Sequence, residues 1–335
     1  MTRRRLLALI RGAIFVALSA ASAGTRATAA AADAVGPAVV VHAGKATGTY
    51  YLLAQQFVEA IGSADGKLRL DLQESQGSVQ NVIDAAHQHG GGRLVFTAPP
   101  SIVAQARKGE KPFKRDARYN DIRALFTIPY VTVHWVVRAD SGIASFADLA
   151  GKPFVPGARG SVAERQTASV LGLLGLDGKV PLLDIDADSA LPALRDRQVS
   201  GVALAGPYPL PAVVELAKAM PIRLLALSPI EIARAMRSDD SVVSTTIPKG
   251  AYPGVNEDVT TLAIPVGVYT TKAMSEAAAY ALTKAFWTRK AELEKENPVW
   301  QATTPATLAA LGVKLHPGAL RYYKEAKVPV PAALR

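Results

Sequence analysis

IRALFTIPYVTVHWVVR, residues 122–138, decides how this chain is organised. The run is apolar and β-branched almost throughout, and it stays extended for longer than the roughly 3–10 residues of an ordinary strand. Pro129 stands in its middle. Proline has no N–H to give to a ladder, which argues for a passage between two lobes rather than one central strand. A second run of the same kind, VTTLAIPVGVY at 259–269, carries Pro265 and reads as the return crossing. Two lobes joined by two crossing strands make a hinged clamshell.

Outward from the first crossing, β-like and helix-like stretches alternate. PAVVVHAG (37–44) reads as a buried strand, 50–62 as a helix, 68–72 as a strand, 78–89 as a helix, 94–97 as a strand and 101–108 as a helix. Three strand–helix units in succession imply a parallel sheet with right-handed crossovers. Between the crossings come a strand at 152–155, a turn at 157–161, a helix at 162–174, a strand at 182–185 and a helix at 189–195. A strand at 201–205, a helix at 209–220 and a strand at 222–227 follow. A long helix over 275–297 and the C-terminal segment are expected to pack back on the first lobe. The expected fold class is α/β, with 33–130 and 259–335 in one lobe and 131–258 in the other.

Three glycine-bearing turns sit where a strand feeds a helix: ATGTYY (46–51), ESQGSVQN (74–81) and GARGS (157–161). Such a junction presents backbone N–H groups and the positive end of a helix dipole, which suits a carboxylate or phosphate. The first two, on neighbouring parallel strands, would form one side of a ligand cleft. Gly48 lets the backbone approach a ligand, Thr49 can cap its helix and bind an oxygen, and Tyr50 can line the cleft. The alternative is an ordinary Thr cap followed by core tyrosines. Ser78 reads as an N-cap, and Asn81 sits on the first turn facing the same mouth; a purely structural cap is the competing reading. In the third turn, Arg159 beside Gly160 and Ser161 could bind a carboxylate bidentately, or stand as a solvated rim arginine.

The first 32 residues read as an export leader. Arg3, Arg4, Arg5 and Arg11 form a basic start, 12–24 is a run of apolar and small residues, and small-x-small cleavage sites follow at 27–29 and 30–32. TRRRLL (2–7) approximates a twin-arginine signal; runs of arginine are common in ordinary leaders, which favours the general secretory route. The leader holds five Arg and no acid, so the formal charge of +10 falls to +5 beyond it. Basic stripes with interleaved aromatics are absent, which argues against nucleic acid. There is no cysteine, hence no thiolate metal site or cysteine nucleophile. His87 and His89 fall on different sides of a helix, and His42, His134 and His316 stand alone. No HExxH, GxSxG or Walker pattern occurs. No catalytic residue, metal or cofactor is expected.

The strings ATGTYY, ESQGSVQN, RADSGIASFADLAGKPFVPGARGSVA (138–163), AGPYPLPAVVEL (205–216) and IPKGAYPG (247–254), in that order, resemble the TAXI family of extracytoplasmic solute receptors. The resemblance spans about 39–325. It implies a type II periplasmic-binding fold that closes on a small organic anion of the glutamate, glutamine or oxo-dicarboxylate kind. It also implies delivery to the small and large membrane subunits of a sodium-driven TRAP transporter. Two departures stand out. That family usually has a small residue where Arg159 stands, and often polar or acidic side chains where this chain has Thr97-Ala98-Pro99-Pro100. The second departure favours a carboxylate over an amino acid. Tyr208, in the family's GPYP turn, could close over the ligand.

The expectation is therefore a periplasmic receptor, monomeric and non-enzymatic, whose cleft is formed by Gly48, Thr49, Tyr50, Ser78, Asn81, Thr97, Arg159, Gly160, Ser161 and Tyr208. The alternative is the same clamshell serving an ABC importer or a membrane sensor. An exported enzyme on this scaffold would need a nucleophile or acid–base set that the sequence lacks.

Overall fold

The computed structural model describes residues 38–46, 48–65, 68–87 and 92–335. The leader and His89 lie outside them. The first lobe opens with β1 (Val39–His42), α1 (Thr49–Asp65), β2 (Leu70–Gln73), α2 (Ser78–Ala86), β3 (Leu94–Ala98) and α3 (Pro100–Lys108). β1 lies between β2 and β3 and pairs parallel with both. These are the three expected strand–helix units, and β3 is buried at every position.

β4 (Ile122–Arg138) is one continuous strand, buried along its length except at Arg123 and Arg138. After it come β5 (Phe154–Val155), α4 (Val162–Leu173), α5 (Ala187–Arg195), β6 (Gly201–Gly206), α6 (Pro211–Ala219), β7 (Ile222–Leu224), α7 (Pro229–Ser238) and β8 (Val243–Ile247). β9 (Val259–Thr271) then returns antiparallel to β4. The two long strands share their halves out. Near Ile122–Ile128, β4 pairs with the end of β9, which pairs in turn with β3. Beyond Val131, β4 pairs with β6 and β7, while the start of β9 pairs with β8. The sheet therefore runs β2-β1-β3-β9-β4-β6-β5 without an edge at its centre.

Between the halves the register slips: Ile128 faces Val266, and Val131 faces Ile264. Pro129 and Tyr130 oppose Pro265 there, two residues against one, which is the count of a β-bulge. Neither proline can donate to the ladder, so the crossing strands lose hydrogen bonds at the passage between lobes.

The C-terminal portion packs against α1 and the near half of β4. α8 (Glu276–Glu296) lays Phe286 flat on Phe126 of β4, with ring centroids 4.0 Å apart and planes 6° from parallel. Phe57 of α1 meets Phe126 edge-on, and Trp300 meets Phe286. Trp300 Nε1 donates to Gln56 Oε1 at 2.7 Å, and Tyr323 of α9 (Pro317–Glu325) donates its hydroxyl to the Leu125 carbonyl. A second apolar cluster gathers Val136, Val202, Val213 and Tyr252 with Val259 at the start of β9.

Two local expectations fail. Residues 182–185 form no strand; only Leu182 bridges to Phe154, because β5 is two residues long and offers no further edge. α7 and β8 went unanticipated, although Ser228-Pro229-Ile230-Glu231 carries a capping-box signal. Ser228 and Glu231 do exchange the two reciprocal bonds of that box. Phe286→Ala should lower the unfolding free energy by about 3–5 kcal/mol, since it empties the stack that fastens α8 to β4. Denaturant unfolding followed by tryptophan fluorescence measures this, and a loss under about 1 kcal/mol would contradict that role.

Candidate functional site

A cavity of about 480 Å³ opens between the lobes. One wall is the loop after β1 with the first turn of α1: Gly44, Lys45, Gly48, Thr49 and Tyr50. The opposite wall is the first turn of α4, from Ser161 to Ala163, with Ala158 beside it. Val131, just past the bulge in β4, and Ala203–Ala205 of β6 complete the lining. Two helices thus begin at one cavity, and their first-turn N–H groups lack helical acceptors.

Local chemistry shapes both walls. Gly44 has φ 103°, and the Lys45 carbonyl accepts from Gly48 N–H at 2.8 Å, closing a tight turn ahead of α1. In the other lobe Gly157 has φ 118°, and a Cβ there would come within 2.6 Å of the Ala163 Cβ. Only glycine lets β5 fold back so closely on α4. Ser161 caps α4, its Oγ accepting from Glu164 N–H at 3.1 Å. The Ser161 hydroxyl proton is left to donate elsewhere.

The second glycine turn supports the first and does not line the cavity. Ser75 Oγ accepts from the N–H groups of Gly44, at 2.9 Å, and Gly77, at 3.3 Å. Ser75 N–H donates to the Gly44 carbonyl, and Glu74 Oε1 accepts from Ala46 N–H at 2.6 Å. Gly77, at φ 102° and ψ −173°, holds the N-cap position expected of Ser78, which is instead the first helical residue. Asn81 is buried and donates its amide to the carbonyls of His42, at 3.3 Å, and Thr97, at 3.1 Å. It ties the ends of β1 and β3 together beneath the loop.

Of the ten residues singled out from sequence, Gly48, Thr49, Tyr50 and Ser161 come together at the cavity. Ser78, Asn81 and Thr97 do not line it, and Thr97 is fully buried. Arg159 points away: it ion-pairs with Asp184 and lines a separate hollow with Glu164 and Arg165. The N–H of Gly160 is taken by the Glu164 carboxylate. Tyr208 packs against the second lobe's core. Sequence reasoning missed Lys45, whose signal was a lone cation inside the turn that closes β1. It also missed the small apolar wall, which reads as ordinary strand.

Lys45 is exposed, and no carboxylate pairs with it among the described residues. Burial pushes the Tyr50 phenol up to about 12, so it stays a hydrogen-bond donor at neutral pH. Among the described residues no three His, Cys, Asp or Glu are grouped to hold a metal. A family model, that of the NMT1-like family, matches residues 41–326. The chain belongs to the NMT1-like family. Its solved likenesses include a ligand-free TctC solute binding protein from Polaromonas, with 14% identity and a TM-score of 0.55. That match covers 87% of this chain and 98% of the other. MatC from Rhodopseudomonas palustris with bound malate matches at 13% identity and a TM-score of 0.45, over 86% and 98% of the two chains. The Polaromonas likeness shows that this NMT1-like chain has the fold of a solute-binding protein.

His134 sits in β4 behind the cavity floor, and its partners fix its tautomer. Tyr252 Oη accepts from Leu210 N–H at 2.8 Å and donates to His134 Nε2, also at 2.8 Å, because Nδ1 faces a carbonyl and must carry the ring proton. His134 Nδ1 then carries the proton and donates to the Thr132 carbonyl at 3.1 Å. Burial holds this imidazole neutral, down to about 4. The unfolded chain takes up that proton first as pH falls. The contribution is whole above the usual histidine value near 6.5 and lost between there and about 4, amounting to about 3 kcal/mol. Urea unfolding from pH 7 to 4.5 should show His134→Gln losing less stability than the wild type. Parallel curves would contradict the assignment.

Proposed function

We propose that this chain is an exported solute-binding receptor that closes its lobes on a small organic anion and passes it to a membrane transporter. The cleft itself carries the reading. Its walls come from both lobes, two helices begin in it, and among the described residues its charged lining group is a lysine. Lys45 and the first turn of α1 favour negative charge on one wall, and the first turn of α4 favours it on the other. Contacts to the second wall strengthen as the gap narrows, so a bound anion shifts the population toward closure. The broken ladder at Pro129 and Pro265 is the natural bending point. With the bend there, the residues before Pro129 and after Pro265 act as one jaw and those between the two prolines as the other, which moves the expected boundary at 258/259 to Pro265 because Val259–Ala263 pair with β8.

The leader at 1–32 supports export to a periplasm. The five motifs shared in order with the TAXI receptors support the small and large TRAP subunits as the membrane partner. On this reading the receptor works as a monomer, without metal or cofactor, and releases its ligand chemically unchanged.

Lys45→Met should weaken binding of an anionic ligand at least about tenfold in titration calorimetry, the order expected for one charge-assisted contact. Arg159→Ala, whose partner is Asp184, should change affinity less than about twofold, as an exposed rim pair contributes little. Undiminished binding by Lys45→Met would remove the anion site from this cleft.

A further inference from the structure

We propose, resting on the receptor reading above, that the ligand is a monocarboxylate with a compact apolar body, branched aliphatic or aromatic. Among the described residues the cavity has one cationic side chain in its lining, Lys45. The second lobe's nearby arginines serve elsewhere: Arg159 is paired with Asp184, and Arg165 donates to the Gly160 carbonyl at 2.7 Å. Both line a separate hollow. A second carboxylate would enter the closed cleft without a counter-charge, and an uncompensated buried charge is costly.

An amino acid fails for the opposite reason. Among the described residues no Asp or Glu lines the cavity, so an ammonium would shed its water and gain no anionic partner. A sugar fails because the walls are methyl-rich: Val131, Val162, Ala163, Ala203, Leu204 and Ala205 face the space. Hydroxyls set against them would lose hydrogen bonds to water.

Lys45 and Thr49 line one wall and Ser161 the other, so the lysine sets where a single carboxylate head group is held. The β6 edge adds only neutral groups. β5 pairs no further than Val155 with Val202, so the peptide edge of Ala203–Ala205 lacks a strand neighbour on that side. A cavity of about 480 Å³ lies in the lower part of the usual ligand-pocket range of about 300–1,000 Å³. Such a space fits a body of ring or branched-chain size.

Matched pairs of compounds test this on the purified protein by calorimetry and thermal shift. The pairs are 4-methylpentanoate with leucine, which adds an ammonium, and hexanoate with adipate, which adds a second carboxylate. A third pair sets 4-methylpentanoate against its primary amide, which lacks the charge, and phenylacetate tests an aromatic body. Binding by at least one of the three monocarboxylates is expected, with each altered partner at least tenfold weaker. Leucine or adipate binding as tightly as its partner would overturn the ligand class and leave the receptor reading standing. Silence from the whole set while malate, citrate or glutamate binds would do the same. Silence from all of these compounds would overturn both.

Discussion

The antiparallel ladder between β4 and β9, irregular at Leu125 and again at the prolines Pro129 and Pro265, is the constraint on which everything else hangs. Because both strands run through both lobes, each lobe's sheet grows outward from the same two chains. β3 attaches to the near half of β9, whereas β6 and β7 attach to the far half of β4. A free linker would let the lobes wander, and an unbroken ladder would fuse them. A bulge with proline on both strands does neither. It keeps the lobes in register while concentrating the missing hydrogen bonds where Ile128 and Val131 flank the gap.

The cleft inherits its position from that arrangement. Val131 emerges just past the bulge, β6 lies beside it, and the loops after β1 and β5 reach over from either side. The first loop is held by its neighbour. Ser75, Glu74 and Asn81 spend their hydrogen-bonding capacity on the backbone around Gly44, Ala46, His42 and Thr97. Rigid support of this kind leaves the α1 first turn and Lys45 as the groups presented to the cavity. The division of labour is between a turn that lines the cavity and a turn that holds the first one still.

Behind the floor, the far lobe is tied to its crossing strand by polar groups as well as by packing. Tyr252 links Leu210 to His134, and Trp135 donates to Thr167, which itself donates to the Pro156 carbonyl. These bonds pin the start of α6 and the body of α4 to β4. The stacked Phe126 and Phe286 do the same for α8 on the near side.

Much of this was legible in the residues themselves. Periodicity marks β4 and β9, the prolines mark the crossing, and the Gly-Thr turn before α1 marks a wall of the cleft. All of these are local signals, in which a residue's own backbone limits set the outcome. The site was legible only in part, because the direction of a side chain depends on partners distant in sequence. Arg159 could have met a ligand, but Asp184 lies closer. Asn81 could have faced the mouth, but the carbonyls of His42 and Thr97 bind it first. Val131 and Ala203 alternate along strands in the manner of core residues, and a one-dimensional pattern cannot separate a wall facing a cavity from one facing a core. The sequence determined an α/β fold with two long crossing strands and glycine turns ahead of its helices. The tertiary structure decided which turn lines the cavity, that Lys45 stands in it unpaired with any described carboxylate, and that Val131 and Ala203–Ala205 face the same space, since hydrogen-bond competition and packing are settled only when the chain has folded.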